Sequence, residues 1–452
     1  MIETVKNKRV VVLGLGHTGL SALRWLVAQG AKVIVADTRE NPPNLQVVRN
    51  EMPSVEVFLG DYDTSLLLSA ELMVISPGVA LSTPAVRQAI DAGVPVVGDI
   101  ELFARFRSPN AKVIAITGSN GKTTVTTLVG EMCKTAGLKT IVAGNIGLPV
   151  LEALDADVPD VYVLELSSFQ LETTNNLIAD VATVLNVTED HMDRYPDLST
   201  YAAAKAHIFY KAKHQVLNRD DAWSMVMERP QLALTTYGLD AAADGFGIED
   251  NNNEIWLCDS GKHLINAADL HIRGAHNVSN ALAALALCRA IGLEYAPLLS
   301  TLYNFKGLPH RVEWVAEIDK VDYFDDSKGT NVGATCAAIS GLPQKVVLIA
   351  GGDGKDQNFS PLVRPVKENA RAVVLIGRDA PIIEKVLLET MVPIYHANDM
   401  QEAVAIARRV AQAGDAVLLS PACASLDMYE NYIRRAEAFV AAVKRLEVEV
   451  AC

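Results

Sequence analysis

Short runs of apolar residues recur along the chain, and most of them end in a glycine, a carboxylate or a hydroxyl group. The clearest runs occupy residues 10–13, 33–36, 72–75, 113–116, 141–143, 161–164, 181–185, 346–350, 372–376 and 416–419. Runs that are apolar almost throughout are typical of parallel strands buried on both faces. Segments with helical periodicity separate them, so the pattern predicts an α/β fold built on parallel sheets.

A glycine-rich turn follows one of these strands. Residues 113–117 predict a strand, residues 118–121 a turn and residues 122–136 a helix. The backbone N–H groups of such a turn and the positive end of the helix dipole both attract an anion. Lys122 can add a positive charge at the β- and γ-phosphates, and the Thr123 hydroxyl can bind Mg²⁺. The usual pattern has glycine where this chain has Ile116, but the flanking strand and helix favour a phosphate site over an ordinary glycine turn.

A second glycine pattern lies near the N-terminus. Gly14, Gly16 and Gly19 follow an apolar strand, a helix is expected over residues 20–29, and the strand over residues 32–37 ends in Asp37. This βαβ unit resembles a dinucleotide fingerprint in which the acid binds a ribose hydroxyl. On the residues alone NAD(P) is the default ligand, although the loop predicts only that a phosphate-bearing ligand lies on a helix N-terminus.

Polar residues at the ends of central strands form the next candidate site. Glu165 ends a buried strand, where a carboxylate needs a partner. Mg²⁺ beside a nucleotide is one partner, and a backbone donor or an arginine is the other. The loop over residues 188–195 carries three acids and His191 after another buried strand, and Asn145 follows the strand over residues 140–144. All of these residues are expected at one sheet edge.

Two helices in the middle of the chain carry candidate site residues, each of which has a functional and a purely structural interpretation. Lys205 lies among alanines in a helix expected over residues 198–213, so it can approach a backbone or ligand closely. The residues alone favour a surface lysine with an exposed ammonium group. Asn277 and Asn280 lie three apart at the start of an alanine-rich helix, where they either contact a base or ribose or cap the helix.

The last third of the chain repeats the alternation of strands and helices after a Gly/Pro hinge at residues 305–311. A first linker is expected at residues 101–110. Lys328, Thr330, Lys355 and Ser425 all follow predicted strands, at the edge of an open α/β sheet where ligands bind. The residues therefore predict a pocket for a small acidic ligand in this region.

Composition limits the function classes. The chain has 452 residues, which suggests about three domains, and half of its residues are hydrophobic. Its net charge of −14 argues against sequence-independent binding of nucleic acid. Six scattered cysteines indicate reduced thiols in a cytoplasmic protein. A signal peptide and a membrane-spanning run are both absent from the sequence pattern.

In combination, these motifs resemble those of the Mur ligases of peptidoglycan synthesis. The matching segments are residues 117–124, 144–147, 165–168, 190–193, 276–277, 308–311 and 326–331, together with Lys205. Residues 351–355 and 420–427 look most like the D-glutamate-adding branch of that family. The resemblance covers essentially the whole chain. It implies an ATP-dependent ligase that joins D-glutamate to UDP-N-acetylmuramoyl-L-alanine through an acyl phosphate.

The resemblance also implies roles for individual residues. The residues expected to bind ATP are Gly118, Asn120, Gly121, Lys122, Thr123, Thr124, Asn280, Arg311, Asp326 and Lys328. Those expected to bind the UDP substrate are His17, Thr18, Asp37, Thr38, Arg39, Gly78 and Asn145. Those expected to bind D-glutamate are Thr330, Lys355, Ser425, Leu426 and Tyr432. Tyr432 and His17 depart from the family pattern, in which a phenylalanine and an apolar residue are expected.

The same resemblance implies a metal site and a modified lysine. Thr123, Glu165, His191 and Lys205 are expected to hold two Mg²⁺ ions, with Lys205 carbamylated so that it carries a carboxylate. Lys122, Lys205 and His191 are the expected catalytic residues. This implication replaces the interpretation of Lys205 as a surface residue.

We therefore expect three domains. They are an N-terminal Rossmann-like domain at residues 1–104 for the UDP substrate, a central P-loop-type ATPase sheet at 105–306 and a C-terminal Rossmann-like domain at 307–452 for the amino acid. The C-terminal domain is expected to close on the others about hinges near Arg107 and Gly307. A cytoplasmic monomer that binds neither nucleic acid nor membrane is expected.

Three alternatives stay open at this point. The first is another ligase of the superfamily, such as a folylpolyglutamate synthase or a Mur ligase with a different amino acid. The second is an NAD(P)-dependent oxidoreductase, which leaves Lys122, Glu165 and His191 without a role. The third is a non-enzymatic nucleotide switch, which would have no amino-acid pocket.

Overall fold

The structure, a computed structural model, describes residues 4–252 and 254–451. Within these residues three sheets follow one another along the chain, each flanked by helices. Most neighbouring strands are parallel, and the exceptions lie at sheet edges. The α/β class and the three-sheet organisation that the sequence predicts are confirmed, whereas the domain boundaries stay a prediction.

The first sheet has the Rossmann-like topology expected from the N-terminal βαβ unit. Its strands are β1 (Arg9–Leu13), β2 (Lys32–Asp37), β3 (Glu56–Leu59), β4 (Leu72–Ile75) and β5 (Val96–Val97). Its helices are α1 (His17–Ala28), α2 (Leu45–Glu51), α3 (Thr64–Leu68), α4 (Pro84–Asp91) and α5 (Asp99–Phe106). The strand order is β3-β2-β1-β4-β5, with all neighbours parallel. The loops after β1 and β4 therefore meet at the crevice where the strand order reverses, which is where ligands bind in open α/β sheets.

Helix α5 occupies much of the segment that the sequence assigns to a linker. Ile100, Leu102 and Phe103 are fully buried. The Phe103 ring packs edge-on against Tyr162 with centroids 5.0 Å apart. Apolar residues at helical spacing bury one face of α5, so this part of the chain belongs to a core and the linker prediction is wrong over residues 101–106.

The second sheet is the largest and contains the strand that leads into the phosphate loop. Its strands are β6 (Lys112–Thr117), β7 (Thr140–Gly144), β8 (Val161–Glu165), β9 (Val181–Val184), β10 (His214–Asn218), β11 (Ala233–Tyr237), β12 (Phe246–Asn251), β13 (Glu254–Asp259) and β14 (Lys262–Asn266). Its helices are α6 (Lys122–Thr135), α7 (Ser168–Leu171), α8 (Leu198–Ala206), α9 (Ala222–Val226), α10 (Ala275–Ala290) and α11 (Tyr295–Asn304). The order is β14-β13-β12-β11-β10-β9-β6-β8-β7. Strand β6 thus lies between β8 and β9, and their carboxyl ends meet beside the glycine-rich turn.

Two helices of this region carry the remaining candidates. Helix α8 is shorter than predicted: it ends at Ala206, and a short 3₁₀ turn, His207–Phe209, follows it. Helix α10, the predicted alanine-rich helix, begins at Ala275. Asn277 and Asn280 consequently lie in its first two turns, next to the phosphate loop.

The third sheet repeats a Rossmann-like pattern with one antiparallel edge strand. Its strands are β15 (Glu313–Ile318), β16 (Val321–Asp325), β17 (Val346–Gly351), β18 (Ala370–Ile376), β19 (Ile394–His396) and β20 (Ala416–Leu419). Its helices are α12 (Val332–Gly341), α13 (Val363–Asn369), α14 (Ala380–Leu387), α15 (Met400–Val410) and α16 (Tyr432–Ala451). The order is β15-β16-β20-β17-β18-β19.

The buried apolar clusters connect the first two sheets but not the third, within the described residues. One buried cluster runs from the first sheet through α5 into one face of the second sheet. The opposite face of the second sheet packs against α10 and α11. The third sheet has its own buried clusters on its two faces. The first two sheets are therefore joined by continuous apolar packing, whereas the third is not joined to them in this way within the described residues.

Two further expectations concern the chain as a whole. The described cysteines, Cys133, Cys258, Cys288, Cys336 and Cys423, are free thiols. Among the described helices, none combines the length and the apolar character needed to cross a membrane.

Candidate active site

The glycine-rich turn between β6 and α6 has the geometry of a phosphate cradle. Gly121 has a φ of 82° and precedes the first residue of α6. A Cβ atom at this position would lie 2.5 Å from Oδ1 of Asn280, so only glycine allows α10 to approach the turn. The Lys122 ammonium donates to the carbonyls of Gly118 at 2.7 Å and Ser119 at 2.8 Å. It therefore lies over the turn, where the oxygens of a phosphate would compete for it.

The chain that follows β9 holds this turn in place. The backbone N–H of Asn120 donates to Asn186 Oδ1 at 2.8 Å, and Asn186 Nδ2 donates to the Asn120 carbonyl at 3.1 Å. The Ser119 hydroxyl donates to the Thr188 carbonyl at 2.9 Å. The sequence prediction omitted Asn186, although it directly follows a buried strand, the signal that found Glu165.

Glu165 lies at the end of β8 with one oxygen satisfied. Its Oε1 accepts a hydrogen bond from Asn145 Nδ2 at 2.9 Å, while Oε2 is buried and has no hydrogen-bond partner among the described residues. A buried carboxylate oxygen without a donor is costly unless it binds a cation. Thr123 and His191 line the same cavity. These oxygen and nitrogen donors beside a phosphate cradle fit Mg²⁺.

The acidic loop after β9 joins this group. His191 has a left-handed backbone with a φ of 59°, and its ring packs edge-on against Phe169 with centroids 4.8 Å apart. Burial lowers the pKa of His191 below its ordinary value, which favours the neutral imidazole that a metal requires. Burial alone would raise the pKa of Asp190, but the Lys355 ammonium at 2.5 Å and His191 hold it below its usual range.

Lys205 contradicts the interpretation that the residues alone favour. Its side chain is only 1% exposed, and its ammonium donates to the Gly118 carbonyl at 2.9 Å. The ammonium also lies 4.3 Å from the centroid of the Tyr201 ring. Burial, together with the nearby Lys122 charge, lowers the pKa of Lys205 well below its ordinary value. The surface-lysine prediction is wrong because the small neighbours on α8 let the helix pack against the phosphate turn.

A cavity of about 710 Å³ lies between the second and third sheets and gathers many of the predicted residues. The predicted site residues on its wall are Asn120, Gly121, Lys122, Thr123, Asn145, Glu165, His191, Arg311, Lys328, Thr330, Lys355 and Tyr432. The Lys328 ammonium lies 3.9 Å from the centroid of the Tyr432 ring, and burial lowers the pKa of Lys328 to about 8. The cavity thus carries cations contributed by two sheets.

A smaller cavity of about 250 Å³ adjoins the phosphate turn. Thr124, Asn280 and Asp326 line it, as do Arg311 and Lys328, which also line the larger cavity. The Asp326 carboxylate accepts a hydrogen bond from the Ser420 hydroxyl, and burial raises the pKa of Asp326 to about 7. The residues predicted to bind the nucleotide therefore line two spaces: the larger cavity, which contains the phosphate turn, and the smaller polar cavity beside it.

The residues predicted for the UDP substrate lie mainly at the crevice of the first sheet, apart from Asn145. Asp37 is buried, and its carboxylate accepts from the Leu15 N–H at 2.6 Å and from the Arg39 guanidinium at 2.9 and 2.7 Å. It braces the glycine loop and orients Arg39. His17 and Thr18 begin α1, Thr38 follows β2, and Gly78 follows β4.

Besides the residues at the crevice of the first sheet, four predicted residues lie off the walls of the two cavities. Gly118 and Lys205 contact each other behind the phosphate turn. Ser425 is buried and its carbonyl accepts from the N–H groups of Met428 and Tyr429. Leu426 is 71% exposed. The structure therefore places Thr330, Lys355 and Tyr432 together but does not bring Ser425 and Leu426 onto the same wall.

Three family descriptions match consecutive parts of the chain. "Mur ligase MurD-like, N-terminal domain" matches residues 8–98, "Mur ligase middle domain" matches residues 116–288, and "Mur ligase, glutamate ligase domain" matches residues 310–423. The matches follow the three sheets in order.

Individual proteins give the same result. A protein named UDP-N-acetylmuramoylalanine–D-glutamate ligase from Methylobacillus flagellatus is 59% identical over 445 residues, with 98% of both chains covered. A protein of the same name from Thiobacillus denitrificans is 53% identical over 467 residues, again with 98% of both chains covered. A solved pseudomurein peptide ligase type C from Methanothermus fervidus matches with a TM-score of 0.61 at 19% identity, covering 97% of this chain and 100% of its own. This structural likeness supports the fold.

Proposed function

This chain belongs to the Mur ligase family, and from that premise we propose that it is an ATP-dependent ligase that joins D-glutamate to UDP-N-acetylmuramoyl-L-alanine. Relatives that carry the name of this activity match it over nearly its whole length. The observation that carries the proposal is the cavity in which the phosphate turn of the second sheet faces Lys328 and Lys355 of the third. An oxidoreductase would leave this arrangement without a role.

The chemistry requires activation of a carboxylate, which is a poor electrophile. Transfer of the γ-phosphoryl group of ATP to the carboxylate of the UDP substrate makes an acyl phosphate with a good leaving group. Positioning and charge neutralisation dominate the catalysis of such a transfer. Lys122 lies over the turn, and Arg311 and Lys328 face it from the third sheet, so three cations surround the path of the phosphoryl group.

Bound between Thr123, Glu165 and His191, Mg²⁺ would neutralise phosphate charge and polarise the transferring group. Glu165 is positioned for this by Asn145, which satisfies one carboxylate oxygen and leaves the other free to bind. His191 is held by the Phe169 ring and by the left-handed backbone of its loop. These residues bind and orient; none needs to transfer a proton for the first step.

The amine of D-glutamate then attacks the acyl carbon and phosphate leaves. Lys355, Thr330 and Tyr432 lie where the amino acid can be held, and Lys355 offers its charge to a carboxylate. Ser425 and Leu426 would join this pocket on domain closure. At the other end, His17, Thr18, Asp37, Thr38, Arg39, Gly78 and Asn145 would bind the UDP substrate.

We also propose that Lys205 is carbamylated. The buried environment lowers the pKa of Lys205, so its amine is readily neutral and can attack CO₂, which forms an N-carboxylate and releases one proton. The product would place a carboxylate beside Glu165 and thereby offer a further ligand to Mg²⁺.

Lys205→Ala tests this modification. The variant should lose at least about 10- to 100-fold in activity, because a group that positions a metal ligand already contributes that much. With ¹³C-labelled bicarbonate, a carbamate carbon signal should appear in the NMR spectrum of the unchanged chain and be absent from the variant. Lys211→Ala, a change at an exposed lysine, should keep both activity and signal. A signal that persists in Lys205→Ala would contradict the proposal.

The organisation of the chain completes the proposal. Domains at residues 1–104, 105–306 and 307–452 would act as a cytoplasmic monomer. The free thiols are compatible with that location.

Release of phosphate from ATP tests the function directly. With Mg²⁺ and UDP-N-acetylmuramoyl-L-alanine present, release should require D-glutamate, with one amide formed per ATP. Release that needs the UDP substrate but ignores D-glutamate would point to another amino acid. If no UDP-muramoyl substrate supports release, the assignment fails, and titration with NADH would test the oxidoreductase alternative.

A further inference from the structure

A thiol, an imidazole and a carboxylate lie together on the outer strands of the second sheet, in a region for which sequence motifs predict nothing. Cys258 on β13, His263 on β14 and Glu249 on β12 each offer one donor atom, and these atoms lie within 4.8 Å of one another. None of the three residues lines either of the cavities assigned to the ligase reaction. The group is therefore independent of the proposed function.

Strand pairing places the three side chains on one face of the sheet. In the antiparallel pairing Glu249 lies opposite Trp256, and Cys258 lies opposite His263. Residues two apart on a strand share a face, so Trp256 and Cys258 point the same way and the neighbouring Leu257 points into the core. An irregularity in the pairing of β13 with β14, at Leu257 and Cys258, sets His263 directly across from the thiol.

The donors are already oriented toward one another. The His263 ring stacks on the Trp256 ring with centroids 5.2 Å apart and an interplanar angle of 13°. Its Nε2 lies 2.8 Å from a Glu249 carboxylate oxygen. Cys258 is only 3% exposed, and its Sγ lies 3.5 Å from the Trp256 carbonyl oxygen. The imidazole and carboxylate are about one-third exposed, so an ion can reach the group from solvent.

We propose that Glu249, Cys258 and His263 form a binding site for one Zn²⁺ ion. Zinc accepts sulfur, imidazole nitrogen and carboxylate oxygen at bond lengths of about 2.0–2.3 Å, which places neighbouring donors roughly 3.3–3.6 Å apart in a tetrahedron. Because the donor atoms already lie within 4.8 Å of one another, shifts of about 1 Å bring them to this spacing. Water from the exposed side supplies the fourth ligand. The thiol loses its proton to solvent on binding, and the imidazole binds in its neutral form.

The donor set also selects the ion. Thiolate and imidazole favour zinc over magnesium, which prefers oxygen ligands, so the Mg²⁺ used with ATP would not compete for this site. Five strand spacings separate β13 from the phosphate-loop strand β6, roughly 24 Å along the sheet. Zinc bound here would link three strands at the edge of the sheet without contacting the reacting groups.

Titration of the full, metal-stripped chain with Co²⁺ tests the proposal, because Co²⁺ reports its ligands by absorption. A thiolate-to-cobalt charge-transfer band should grow to one equivalent, and Zn²⁺ should abolish it. Titration with Zn²⁺ in two buffers of different ionisation enthalpy should show release of about one proton at pH 7 as the thiol deprotonates.

Three variants sharpen the test. Cys258→Ser should lose the band, and His263→Gln should weaken Zn²⁺ binding at least about tenfold, since even partners outside the ligand set contribute about that much. The matched control is Cys336→Ser, which changes a thiol that belongs to no metal-binding group among the described residues. The proposal is overturned if the unchanged chain shows no band, or if the band survives Cys258→Ser. His263→Gln keeps the test decisive should Cys258→Ser fail to fold.

Discussion

The junction between the first and second sheets consists of core residues, whereas the junction between the second and third consists of candidate active-site residues. At the first junction Phe103 packs on Tyr162, and a single apolar cluster continues across it. At the second, Lys355 bonds Asp190 and Asn331 donates to Asn120 at 3.0 Å. Apolar packing at the first junction fixes the relative position of the first two sheets. The polar contacts at the second junction can be replaced by contacts to ligands, so they fix the third sheet only as long as they persist.

Polar groups at the first junction reinforce this difference. Glu101 lies in α5, and its buried carboxylate accepts hydrogen bonds from the backbone N–H groups of Asn175 at 2.7 Å and Asn176 at 2.9 Å, in the segment after α7. The Arg107 guanidinium donates to the carbonyls of Ala111 and Ile178. These contacts argue against the hinge that the sequence suggests at Arg107. We therefore expect closure to take place near Gly307, which has a φ of 93° and lies in the chain between the two sheets.

The largest effect on stability should follow from shortening a buried side chain at the first junction. Phe103→Ala removes a fully buried ring and should lower the free energy of unfolding by about 3–5 kcal/mol. The first two sheets should unfold together, so the change should shift their common transition in urea and leave that of the third sheet in place. Phe439→Ala, an equally buried ring in the third domain, should do the reverse. Equal shifts of both transitions in both variants would contradict the comparison.

A pH effect of intermediate size should come from Asp99 at the same junction. Burial raises the pKa of Asp99 to about 6, above its value in the unfolded chain. The folded state then holds the proton more tightly, so the contribution of Asp99 to stability falls as the pH rises from about 4 to about 6. The stability of Asp99→Asn relative to the unchanged chain should therefore increase by up to about 3 kcal/mol between pH 4 and pH 7.

Urea unfolding at several pH values measures this difference. Asp157→Asn, at a carboxylate that is 94% exposed, should show a flat difference across the same range. A flat difference for Asp99→Asn would mean that this carboxylate is not held in a dry junction.

Sequence patterns predicted strands and strand ends well and tertiary packing poorly. The positions of Glu165 and His191 after buried strands are predictable because an apolar run followed by a polar residue is a local signal. Lys205 was misjudged on its residues alone because its burial depends on α8 packing against a turn that lies far away in the chain. The sequence pattern assigns most of α5 to a linker because the charged and polar residues at its end obscure its apolar face.

The sequence also could not predict which candidate residues share a cavity wall and which do not. Asp37 has the position of a ribose-binding acid, yet its oxygens accept bonds from Leu15 and Arg39. Leu426 lies next to Ser425 in the predicted amino-acid pocket, yet its side chain faces solvent. Such outcomes depend on side-chain competition and on the relative placement of whole sheets, which short motifs do not encode.

The smallest effect on stability should come from the second junction. Lys355→Gln removes the charge paired with Asp190 beside a cavity open to water, and the remaining Asn331 contact persists. Both side chains are at most 15% exposed, but release of the third domain lets water reach the Asp190 carboxylate, so the free energy of unfolding should fall by only about 1.5 kcal/mol, the lower end for a hydrogen bond to a charged group. The radius of gyration from X-ray scattering should nevertheless increase, because the third domain is released. The matched control is Lys345→Gln, at an exposed lysine, which should change neither quantity. A large loss of stability without expansion would make this junction resemble the first.

Distances between spin labels test most directly whether one junction is fixed and the other closes. Asp91, Glu228 and Lys385 are exposed positions in the three domains and can be replaced in pairs by cysteine in a Cys336→Ser, Cys452→Ser chain. On addition of a non-hydrolysable ATP analogue, Mg²⁺ and UDP-N-acetylmuramoyl-L-alanine, the distance between labels at 91 and 228 should stay constant. The distribution between labels at 228 and 385 should narrow and shift. A constant distribution for the second pair, or a shift in the first, would contradict the account.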